Sequence, residues 1–94
     1  MNAQDLTLNI AVNLNRLSKF ALEKRQKRVN QFLEDTDYYV NQLENAPKSD
    51  RFNPTFQAFR NKFYQLKKDV ILDEYWAEDM LTWANILTHR AKLA

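Results

Sequence analysis

Apolar residues recur at alternating steps of three and four from Phe56 to Ala91, passing through Phe59, Phe63, Leu66, Val70, Ala77, Met80, Ala84 and Leu87. Only Asp73 interrupts this register. Such steps hold side chains on one face of a helix, so this stretch is committed to helical packing before anything else is known. It has a clear start, because Asn53 is a favoured N-cap type and Pro54 loses no backbone hydrogen bond at a first helical position. Asp73 has two readings: it caps a new helix beginning at Glu74, or it is an exposed defect in a helix that runs straight through. The two halves of the seam differ in bulk. Phe56 to Val70 is rich in phenylalanine, whereas Ala77 to Ala91 alternates small residues with Met80 and Leu87, flanked by Trp76 and Trp83. Small seam positions admit a closely packed neighbour, which makes this second half the place to expect a partner helix.

The N-terminal segment fits two templates. Leu6, Leu8, Ile10, Val12 and Leu14 alternate with polar or small residues as a strand would, while Leu6, Ile10, Leu14, Leu17 and Ala21 fit a helix. Helix is preferred, because that stripe continues past Asn15 and no second strand exists to pair with the first. On a helix, Leu8 and Val12 widen the apolar face, which implies contact with more than one neighbour. Asp5 suits an N-cap or a first turn. From Glu23 to Arg28 the apolar pattern lapses, then resumes at Val29, Leu33, Val40 and Leu43. A straight helix would carry Arg28 into the arc of Ile10 and Leu17, yet no breaker residue is present. One long helix, bent there, is therefore expected over a break.

The chain has no glycine and two prolines, Pro47 and Pro54. Tight β-turns and bulges use glycine, so its absence favours helices with few connections. The segment from Glu44 to Asn53 holds the turn-forming residues, and Ala46 precedes a proline that pushes it out of helical geometry. The expected fold is an all-α, antiparallel helical bundle in a single domain, 1–94, with its connecting loop at about 45–53. It contains either two long helices, forming a four-helix bundle as a dimer, or four shorter helices.

With 94 residues there is one modest core to bury. No cysteine is present, which excludes disulfides, zinc–thiolate clusters and thiol catalysis. Small secreted domains usually need such staples, so a cytoplasmic location is expected. Asn9, Asn13 and Asn15 interleave the early leucines, leaving no apolar signal core. No run approaches the roughly 20 apolar residues of a membrane span.

Chemistry finds little purchase. His89 is the sole histidine, and Ile86 stands where a Glu-x-x-His metal pair would need an acid. Glu74 with Glu78, and Glu34 with Asp37, are helical neighbours, but a solvated acidic face or ion pairs with lysines such as Lys67 and Lys68 explain them without catalysis. No enzyme, cofactor or metal is expected. Two surfaces remain. Tyr75, Trp76, Met80, Trp83 and Leu87 make an aromatic-rich face suited to a subunit or partner interface. Arg16, Lys19, Lys24, Arg25, Lys27 and Arg28 make a basic segment opposed only by Glu23. Phosphate binding needs such clusters, although the net charge is only +2. The leading expectation is a protein acting through protein–protein contact as a homodimer. The alternative is a nucleic-acid-associated accessory protein using residues 16–28.

Overall fold

Asp73 is where the long seam breaks, and it breaks because Asp73 caps a helix. In the computed structural model, which describes residues 1–94, the Asp73 carboxylate accepts a hydrogen bond from the Trp76 backbone N–H at 2.8 Å. The chain forms four helices: α1 (Ala3–Leu22), α2 (Gln26–Asn45), α3 (Asn53–Lys68) and α4 (Glu74–Arg90). A single 3-10 turn, Ala91–Leu93, follows α4. Val70, a seam residue by spacing, lies beyond the end of α3 in the connection and is half-buried.

The bend expected at residues 23–28 is a full break. Helix α1 ends at Leu22, Lys24 takes a left-handed backbone angle (φ 57°), and α2 begins at Gln26. The Lys24 N–H donates to the Ala21 carbonyl and the Arg25 N–H to the Phe20 carbonyl, at 3.0 and 2.9 Å, closing the helix end. A left-handed non-glycine residue costs about 1–2 kcal/mol. Burying one Val or Leu side chain contributes roughly 1.5–3 kcal/mol. The break turns Val29, Leu33, Val40 and Leu43 inward, and all four are buried, so packing outweighs the local cost and the absence of a breaker.

The start of α3 also shifts by one residue. Phe52 is the N-cap and Asn53 already lies inside the helix. Phe52 is fully buried and extends the phenylalanine seam back by one turn. The capping role passes to Ser49, whose hydroxyl oxygen accepts from the Phe52 N–H at 3.2 Å. At the other end of the connection, the Lys48 ammonium donates to the carbonyls of Leu43, Glu44 and Ala46 at 2.6–3.0 Å, satisfying the last turn of α2. In α1, Asn2 caps by accepting from the Asp5 N–H at 2.8 Å, and Asp5 is a first-turn acid.

The helices run alternately up and down. Along α2 and α3, Glu44 meets Arg60 and Asp37 meets Lys67 at 2.8 Å, so earlier residues of one pair with later residues of the other. The same reversal relates α3 and α4 through Phe59 with Trp83, Lys62 with Asp79, and Leu66 with Trp76. One end of the bundle is joined by the Lys24 ammonium donating to the Leu72 carbonyl, and the other by the Ser49 hydroxyl donating to the Leu93 carbonyl.

Helix α1 packs closely on both α2 and α4, and its approach to α4 is the most extensive in the molecule. The buried residues of both helices explain how the backbones come so near. Ala3, Thr7, Ala11 and Ser18 on α1, and Ala77 and Ala84 on α4 with Ala91 just beyond it, are small and buried. The neighbour implied by the small half of the seam is thus α1 of the same chain. Helix α3 stands off instead, filling its side of the core with Phe56, Phe59, Phe63 and Leu66.

Candidate interaction surfaces

Three of the five residues expected at an aromatic partner face belong to the bundle's own interior. Trp76, Met80 and Leu87 are buried, and the Trp76 indole N–H donates to the Leu66 carbonyl at 3.0 Å. Trp83 is half-buried with its ring centroid 5.8 Å from that of Phe59. Only Tyr75 is free, at 72% exposure. The face dissolves because α4 turns the whole seam, tryptophan included, towards α1 and α3. Spacing alone showed an apolar stripe and not which helix would cover it.

The basic segment is brought together at the α1–α2 turn. Arg25, Lys27 and Arg28, with Gln26 and Gln31, line a shallow concavity of about 550 Å³. Arg25 meets Glu23 at 3.6 Å, while no carboxylate pairs with Arg16, Lys19, Lys24, Lys27 or Arg28. All three arginines of the segment nevertheless have a structural partner. Phe20 and Phe32 pack with ring centroids 5.5 Å apart. The Arg16 guanidinium lies 5.5 Å above Phe32, and those of Arg25 and Arg28 lie 5.2 and 6.0 Å above Phe20. Each contact at an exposed site is worth about 0.5–1 kcal/mol and shields the half-buried rings from water. With Lys24 engaged on Leu72, only Lys19 and Lys27 are without a structural task.

The acidic pairs are divided. Asp37 binds Lys67 and, with Glu34, borders a cleft of about 590 Å³ between α2 and the end of α3 that also contains Lys27. Opposite charges therefore share that cleft. Glu74 and Glu78 are exposed on α4 and pair with no cation. His89 is exposed in the last turn of α4. No group of three or more His, Asp or Glu side chains is clustered in a way that would hold a metal ion. No helix is long and apolar enough to cross a membrane.

A surface that periodicity misplaced lies on α1. Leu8 and Val12, expected to widen the buried face, are 38% and 47% exposed. The face is indeed wide and meets two helices, but Thr7, Ala11, Asn13 and Ser18 widen it. Thr7, Ala11 and Ser18 lie on one edge of the buried stripe and Asn13 on the other, and their small or short side chains suit the close approach of two helices. Leu81 of α4 is also exposed, at 43%. The sequence signal that could have found this surface is the pair itself: two aliphatic residues one turn apart, off the axis of the main stripe. No protein-family model matches the chain, and neither curated proteins nor solved structures match it, so the surfaces themselves carry any functional reading.

Proposed function

We propose that the protein acts by contact and not by chemistry, as a small cytoplasmic helical module that self-associates as a homodimer. The observation that carries this reading is the exposed aliphatic pair Leu8 and Val12 on a bundle whose own core is already closed. The radius of gyration is 12.4 Å, against about 12 Å for a folded chain of this length. Dimerisation is thus not needed to complete the fold, as two long helices would have required, and has to use the outer surface. Light scattering on the full chain, over a dilution series from micromolar to near-millimolar protein, should show the mass rising from monomer to dimer. A monomer throughout overturns the proposal.

The concavity at Arg25, Lys27 and Arg28 supports a second reading, in which the α1–α2 turn contacts nucleic acid. It predicts a gel shift with DNA or RNA at about 50 mM salt, where phosphate contacts are strongest. The triple variant Lys24→Glu, Arg25→Glu, Lys27→Glu should abolish the shift. Absence of any shift by the unaltered chain at that salt removes this reading.

A further inference from the structure

Helix α1 carries two stripes at steps of three and four. The inner one, Leu6, Ile10, Leu14, Leu17 and Ala21, is buried in the bundle. The outer one is Asp5, Leu8, Val12, Asn15 and Lys19, and every member of it is exposed. Asp5 and Lys19 form no ion pair within the chain. Each lies seven residues from Val12, a spacing of about two turns and about 10 Å that returns the side chain to within roughly 20° of the same direction.

We propose, resting on the self-association reading above, that a second copy of this chain docks on the outer stripe of α1, with its own α1 antiparallel about a twofold axis at Val12. That axis sets Val12 against Val12 of the other copy. It sets Asp5 of each copy against Lys19 of the other, giving two symmetry-related ion pairs. A parallel arrangement would oppose Asp5 to Asp5 and Lys19 to Lys19, so charge selects the antiparallel one. A twofold interface uses the same patch on both subunits and closes on itself, which ends assembly at the dimer. Leu8 of each copy flanks the axis, one on either side, and is exposed in the single chain.

Size discriminates between faces. The molecule measures 37 × 19 × 19 Å. An end face offers on the order of 350 Å² and a side face on the order of 700 Å², against roughly 800 Å² per partner in a standard interface. Only a side face, of which α1 forms part, therefore approaches the area of a standard interface, and the charged end at the α1–α2 turn falls well short of it.

The test is sedimentation equilibrium of the full chain and its variants, with circular dichroism melts to show that each variant is folded. Asp5→Lys alone, or Lys19→Asp alone, turns both ion pairs repulsive and should weaken dimerisation at least about tenfold. The double exchange, Asp5→Lys with Lys19→Asp, should restore it to within about threefold of the original chain. Mixing the two single variants should give a heterodimer tighter than either homodimer. Val12→Asp, at a half-exposed position placed on the axis, should leave the chain folded with its helical circular dichroism intact and abolish the dimer. If the chain dimerises but the single charge exchanges leave the affinity unchanged, this interface is wrong while self-association stands. If the unaltered chain is monomeric up to near-millimolar concentration, both fall.

Discussion

Lys24 holds the single left-handed backbone angle in the chain, and with no glycine available it does so at a cost that glycine would remove. Lys24→Gly should raise stability by up to about 1 kcal/mol, less whatever the Leu72 contact supplies. Lys24→Val, β-branched at the same angle, should lower it by about 1–2 kcal/mol. Urea denaturation followed by circular dichroism distinguishes these outcomes. An unbroken helix through residues 22–26 would reverse the order, because glycine is worse than valine inside a helix. Asp73 offers a second test at this scale. Asp73→Ala removes the acceptor for the Trp76 N–H and should cost about 1 kcal/mol, while Asp73→Ser should retain most of the stability. The capping chemistry of Asp73 was legible from its type and its place before Glu74. The left-handed turn at Lys24 was not, since nothing in Glu-Lys-Arg marks such a conformation and only the phase of the apolar stripe hinted at it.

At the scale of elements, the contrast between the two halves of the C-terminal seam becomes a contrast in helix separation. Bulky α3 fills space with rings, and small-residue α4 lets α1 come close. These modes should fail in opposite ways. Ala84→Leu pushes extra carbons into a fully buried position of α4 and should cost about 1–3 kcal/mol by forcing its neighbours apart. Phe63→Ala leaves a void beside Phe59 and should cost about 3–5 kcal/mol. Chemical denaturation of both variants checks the magnitudes. If Ala84→Leu were as stable as the parent chain, α4 would not be packed against a close neighbour. Residue volumes along the seam already carried this contrast, but the identity of the neighbour was missing from it. A stripe of alanines admits any close helix, from this chain or another.

For the whole molecule, α1 is the hub on which α2 and α4 both rest, so no helix pair has a core of its own. Unfolding should be a single event. Tryptophan fluorescence reports on Trp76 and Trp83 beside α3, and far-ultraviolet circular dichroism reports on all four helices. The two probes should give coincident transitions in urea, and a separation between them would show that α3 and α4 unfold apart from α1 and α2. The antiparallel all-α bundle was legible in the sequence, because the 3–4 periodicity, the absence of glycine and the turn at Pro47 all favour helices joined by few connections. The choice of four shorter helices over two long ones, the burial of Trp76, Met80 and Leu87, and the exposure of Leu8 and Val12 were decided only by tertiary packing. Periodicity states that a side chain lies on an apolar arc. Whether that arc meets water, a neighbouring helix or a second molecule depends on how the other helices fill the space around it.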